Sequence, residues 1–140
     1  MYYCLNPTVG AAHAFTSAVG EVQDVCISVL AFKGVASFET GTAVNGTTDG
    51  ATTVQTLSVT PVKVGDLLVT GLLSTGNLTA PVTIDSGFTI ADMLGNAPYS
   101  VGVCALAYLI SPDGASVAPT WTQAAGDGEI NTSVAAWAKA

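Results

Sequence analysis

A stretch near the start of this 140-residue chain returns near its end at a constant offset, and that echo limits the folds open to it. Tyr3-Cys4-Leu5-Asn6-Pro7 followed by Gly10 aligns with Tyr108-Leu109-Ile110-Ser111-Pro112 followed by Gly114. Ile27-Ser28-Val29-Leu30-Ala31-Phe32 aligns with Thr132-Ser133-Val134-Ala135-Ala136-Trp137. Tyr to Tyr, Pro to Pro and Phe to Trp are each 105 positions apart, with a one-residue gap near the glycines. A strand, a Pro-Gly corner and a second strand recurring at fixed separation point to duplicated β-units, each too small to bury its apolar face alone. On this reading residues 1–50 form half a repeat unit and residues 51–140 a full one, together making one domain.

Such a length suits a single core that buries roughly 70% of the unfolded surface. Hydrophobic residues make up 49% of the chain and charged ones only 9%. Thr, Val, Ala and Gly dominate, a balance that favours strands and tight turns over amphipathic helices and opposes disorder. Ten acidic residues face three lysines, Lys33, Lys63 and Lys139, and there is no arginine. Without a guanidinium fork, and with a net charge of −7 that repels polyanions, nucleic acid is not an expected partner. Met1-Tyr2-Tyr3-Cys4 show neither a basic segment nor a long apolar run, so no secretory signal is expected. Gly, Asp, Asn or Pro interrupts every apolar run before it reaches the ~18 residues a membrane helix needs, so no membrane partner is expected.

Apolar alternation between turn signals predicts about eight or nine strands. These are Tyr2–Leu5, Ala12–Ala18, Val25–Lys33, Thr52–Val59, Leu67–Leu73, a run from Val82 to Ile90, Val101–Ile110, Val117–Thr122 and Ile130–Ala138. Gly41 to Ala51, with Asn45-Gly46 and Asp49-Gly50, predicts an exposed loop. Val25–Lys33 is apolar on both faces, as an inner strand is. The Ala-rich tail from Val134 is assigned to strand, not helix, because it matches Ile27 to Lys33. The expected fold is therefore all-β, an antiparallel β-sandwich of jelly-roll or immunoglobulin-like form.

No residue stands out as catalytic, cofactor-binding or metal-ligating. His13 is the only histidine, and no nucleophile motif accompanies it. Cys4, Cys26 and Cys104 lack CxxC or CxxH spacing. Cys4 falls opposite Leu109 in the repeat, which suggests a thiol packed as a small core group. The acids of Asp113-Gly114 and Asp127-Gly128-Glu129 do not supply ligands at alternate positions as a calcium loop does, and turn chemistry explains them. Asn45, Asn77 and Asn131 start N-x-S/T triplets that a Thr-rich and Ser-rich chain produces by chance. Tyr2, Tyr3, Tyr99, Tyr108, Trp121 and Trp137 could stack on sugar rings, but the pairs Tyr3/Tyr108 and Phe32/Trp137 recur at repeat positions as core residues would.

The segment Tyr2-Tyr3-Cys4-Leu5-Asn6-Pro7-Thr8-Val9-Gly10-Ala11-Ala12-His13, followed by Val29-Leu30-Ala31-Phe32-Lys33-Gly34-Val35, resembles a β-sandwich module of tailed-phage structural proteins and bacterial surface proteins. That module carries a YLxNPxxGxH corner and a strand ending in SFxGV, and Leu67-Leu68-Val69-Thr70 resembles its strand before the corner. The resemblance implies a non-enzymatic virion protein, a phage capsid decoration or cement protein on the virion surface. Its partners would be the major capsid protein, copies of itself in a homo-oligomer, or both. The first corner lacks the upstream strands that the second has, so neighbouring subunits are expected to cover an open sheet edge. Two other readings stay open: an extracellular carbohydrate-binding or adhesive module of a tail fibre or cell surface, and a filament subunit joined by strand exchange.

Overall fold

The computed structural model describes residues 1–7, 14–16, 27–44, 50–74, 82–95, 103–123 and 129–140. Within them lie eight strands and no helix: β1 (Val35–Val44), β2 (Thr53–Gln55), β3 (Leu67–Ser74), β4 (Thr83–Ile84), β5 (Thr89–Gly95), β6 (Val103–Ile110), β7 (Thr120–Thr122) and β8 (Ile130–Lys139). All pairings are antiparallel, giving a five-stranded sheet of order β1-β8-β3-β6-β5 and a three-stranded sheet of order β2-β7-β4. The two sheets close on one core, so the all-β sandwich expected from the sequence is the observed class.

Alternation decides which side chains enter that core. From the large sheet come Leu68, Thr70 and Leu72 of β3, Val103, Ala105 and Ala107 of β6, and Ile130, Val134 and Ala136 of β8. Val54 of β2, Trp121 of β7, Val59 and Val82 meet them from the small sheet and its flanks. Alanines on β6 and β8 leave room for the Trp121 ring, which is 1% exposed. Its Nε1–H donates to Thr70 Oγ1 at 3.0 Å, so the largest core side chain is tied across the sandwich.

Chain entry differs from expectation. Residues 2–5 and 27–33 belong to no strand, nor do residues 14–16; the rest of the expected Ala12–Ala18 strand lies outside the described residues. The strand that fills the edge beside β8 is instead Val35–Val44, which takes its last four residues from the expected loop Gly41–Ala51. Gly41 is the reason the loop signal misleads. A Cβ there would stand 3.1 Å from the Ala135 Cβ, so this glycine permits a close approach of strands and does not mark a turn. The two halves of the sequence repeat consequently have different local structure: Thr132 to Trp137 lies in β8, whereas Ile27 to Phe32 lies in no strand.

The run from Val82 to Ile90 also divides. Asp85-Ser86-Gly87-Phe88 forms a tight turn with Ser86 at φ 57° and Gly87 at φ 77°, closed by the Phe88 N–H donating to Asp85 O at 3.3 Å. It carries the chain from β4 in the small sheet to β5 in the large one. The predicted alternation survives across it, with Val82 and Phe88 buried. Thr52–Val59 contracts to β2 and an isolated bridge between Val59 and Val117, and Val117–Thr122 contracts to that bridge and β7. The tail is strand through Lys139, as expected, but not for the expected reason, since the earlier segment it matches forms no strand.

A buried carboxylate fastens one end of the sandwich. Asp66, with no solvent exposure, accepts from Lys63 N at 2.6 Å and from Lys139 N at 2.9 Å. Its own carbonyl accepts from Ser111 N at 2.9 Å, and Gly65 N donates back to Ser111 O at 2.8 Å. The start of β3, the end of β6 and the end of β8 are thereby joined. The hydrogen bond from Lys139, assisted by that from Lys63, outweighs the cost of burial and holds the Asp66 carboxyl below the usual carboxylate range.

Candidate docking face

Strands that are apolar on both faces need cover on both faces. β3, β6 and β8 are such strands. Their inner rows form the core; their outer rows, read across by register, create a second apolar surface. One row runs Phe38, Trp137, Leu67, Ile110 and the next Gly41, Ala135, Val69, Tyr108, Thr89. A third runs Ala43, Ser133, Gly71, Leu106, Asp92, and a fourth Asn131, Leu73, Cys104, Leu94. Asp92 is the one charged group within these rows, and Lys139 stands at their end.

The chain's own N-terminal residues cover part of this face. Tyr3 stacks on Phe38 with ring centroids 5.1 Å apart and meets the edge of Trp137 at 5.9 Å, while Phe38 and Trp137 stand 5.9 Å apart. Phe32 meets Tyr108 at 5.5 Å, and Leu30 packs on the cluster of Leu67, Val69, Ala135 and Trp137. Cover is incomplete. Phe38, Leu73, Leu94 and Ile110 stay between 39% and 51% exposed, and Tyr3 is 55% exposed. A shallow cleft of about 330 Å³ remains beside Met1, Tyr3, Phe38, Gly41 and Trp137.

The residues singled out from sequence separate accordingly. Trp121 and Trp137 are buried, whereas Tyr2, Tyr3 and Phe32 are exposed, so the aromatic residues expected in the core split between core and surface. Cys4 is exposed and does not serve as a core group, because residues 2–5 form no strand and have no inner face. Cys104 lies on the outer face, part-buried, with Ser28 Oγ 3.8 Å from its sulfur. Asp113 caps its own turn, accepting from Ala115 N at 2.9 Å, and Glu129 is exposed. Asn131 lies within β8 opposite Leu73. His13, Cys26, Asn45, Asn77, Tyr99, Asp127 and Gly128 lie outside the described residues.

Phe38 is the residue that sequence reasoning missed. Its signal was the odd-numbered outer row of β8, where Ala135 and Trp137 are apolar although Val134 and Ala136 already serve the core. Among the described residues no three or more His, Cys, Asp or Glu side chains gather in a metal-binding arrangement. What the face offers chemically is burial of apolar area, with aromatic edges and planes to set orientation. No family model matches the chain, and neither a curated protein nor a solved structure does.

Proposed function

We propose that this protein is a non-enzymatic assembly subunit, a virion structural protein of the capsid decoration or cement kind that binds neighbouring capsid subunits. The observation that carries the reading is the outer face of the five-stranded sheet, where Phe38, Leu73, Leu94 and Ile110 remain exposed beside an almost uncharged field. Exposed apolar side chains gathered on one sheet face support a surface for another macromolecule. Among the described residues β1 is an edge strand of the sheet and borders this face, which favours pairing with the same partner. A net charge of −7 keeps the rest of the surface wet and discourages attachment elsewhere.

The test uses particles stripped of this protein. Adding it back is expected to restore resistance to heat or low ionic strength, and the variant Leu73→Lys/Leu94→Lys is expected to restore much less. Particle stability that does not respond to the wild-type protein would end the cement reading.

A carbohydrate-binding or adhesive role has one observation in its favour, the exposed Tyr2 and Tyr3 beside half-exposed Phe38. Glycan-array binding lost in Tyr3→Ala but kept in Leu73→Lys/Leu94→Lys would favour it over the capsid reading.

A further inference from the structure

The aromatic contacts on the outer face follow a crossed pattern. In the sequence repeat Tyr3 corresponds to Tyr108, and Phe32 to Trp137. On the face, Tyr3 meets Trp137 with planes at 80°, and Phe32 meets Tyr108 with planes at 62°. Each N-terminal ring therefore touches the partner of its own counterpart. A two-fold interface gives crossed contacts of this kind, position i of one unit meeting position j of the other and j meeting i, although here Tyr3 and Phe32 sit on segments that form no strand. Leu30 adds to it, packing on the cluster that contains its counterpart Ala135.

We infer that the outer face is a homotypic docking surface whose occupant in trans is the same face of a second copy, and that the N-terminal residues fill that seat in cis. In a second copy Tyr108 and Trp137 sit on β6 and β8, two strands apart across β3 and two residues apart along them, so they present rings at a fixed spacing of roughly 12 Å. Related by a two-fold axis, the Tyr108 of each copy faces the Trp137 of the other, where Phe32 and Tyr3 lie in the single chain. Charge does little to oppose this approach, because the described rows of the face carry Asp92 and, at one end, Lys139 with Lys33 nearby.

The described part of the cis occupant is held to the face by side chains. Among the described residues, no backbone hydrogen bond joins residues 1–7 or 27–33 to the sheet, and side chains alone hold them. Gly34, just beyond, is the first residue tied to the sheet, its carbonyl accepting from Ala140 N at 2.8 Å. Tethered occupancy acts at an effective concentration on the order of millimolar, so it masks the face in dilute solution and yields where copies are crowded, as on a particle surface. The inference deepens the assembly reading by naming the surface and its occupant, yet it is measured without particles, so either can fail alone.

Sedimentation velocity of the full chain, from about 1 to 300 µM, compares wild type with Tyr3→Ala/Phe32→Ala. Freeing the seat is expected to tighten dimerisation by about tenfold or more, and adding Tyr108→Asp is expected to abolish it. A double variant that keeps its β-sheet circular dichroism but stays monomeric throughout overturns the inference. So does a dimer that survives Tyr108→Asp, or glycan binding by the freed face without a dimer. If the double variant loses its fold, Tyr3→Ala alone decides: this half-exposed position is expected to tolerate the change, and dimerisation no tighter than wild type overturns the inference.

Discussion

Trp121→Phe removes a side-chain hydrogen bond that links the large and small sheets within the core, and its cost can be worked from the geometry. The indole is 1% exposed and donates to Thr70 Oγ1 at 3.0 Å, with Thr70 itself fully buried. Losing part of the ring and leaving a small void costs about 1 kcal/mol. Leaving the Thr70 hydroxyl without its buried partner adds about 1–2 kcal/mol. The sum of about 2–3 kcal/mol lowers Tm by about 7–10 °C for a domain of this size. Thr70→Val keeps the shape and orphans the indole N–H, for about 1–2 kcal/mol of its own. Since Trp121→Phe and Thr70→Val remove opposite ends of one bond, the double variant is expected to lose about 1 kcal/mol less than the sum of the singles. Urea unfolding followed by circular dichroism measures all three. Costs that add to within about 0.3 kcal/mol would refute the claim that this bond couples the sheets.

Acid should loosen the sandwich in a defined window. In the folded protein the carboxyls of Asp66 and Asp85 are both held below the ordinary 3.8. At Asp85 burial works upward but is outweighed by hydrogen bonds from Thr120 N and Ser86 Oγ. Groups that bind protons more weakly when folded contribute full stability above the unfolded value and lose it as pH falls toward the folded one, so the urea midpoint should drop from about pH 4 downward. Asp66→Asn should lower Tm at neutral pH and flatten that acid limb; an unchanged limb would detach Asp66 from it. Gly41→Leu should destabilise by about 1–3 kcal/mol, because its Cβ meets the Ala135 Cβ and forces β1 off β8. Hydrogen exchange should then quicken in β1 before β3. Gly87→Ala should cost about 1 kcal/mol through its φ of +77°, although its Cβ would meet Leu109 Cδ1 only at an ordinary 3.9 Å, and an unfolding midpoint equal to wild type would contradict that strain.

The β-sandwich was legible because every core strand after residue 50 carries its own pattern. Leu67 to Leu73, Val103 to Ile110 and Ile130 to Ala138 are apolar enough, and well enough bounded by Gly, Pro and Asp, to announce themselves. The N-terminal third was not legible in the same way. Ile27 to Lys33 has a stronger strand pattern than Val35 to Val44, yet the second takes the edge beside β8, where Gly41 lets it approach and the Ala140–Gly34 hydrogen bond aligns it. Strand propensity yields here to the availability of a ladder partner, which no local window contains. The outer apolar face was half legible: excess apolarity on β3, β6 and β8 was visible, but the rows that assemble it depend on register. Phe38 joins Trp137 only through a pairing that spans most of the chain.

That pairing has a consequence for biosynthesis. β8 supplies the partner for β1 on one side and for β3 on the other, so residues 35–44 wait for residues 130–139 before either can settle. During translation the large sheet has a vacancy at its second position, flanked by two strands with unsatisfied backbones. Such long-range closure makes folding slow and leaves the nascent chain open to mispairing with its neighbours on a polysome. Expression at lower temperature, or with fewer ribosomes per message, should raise the folded yield more than any change to the surface.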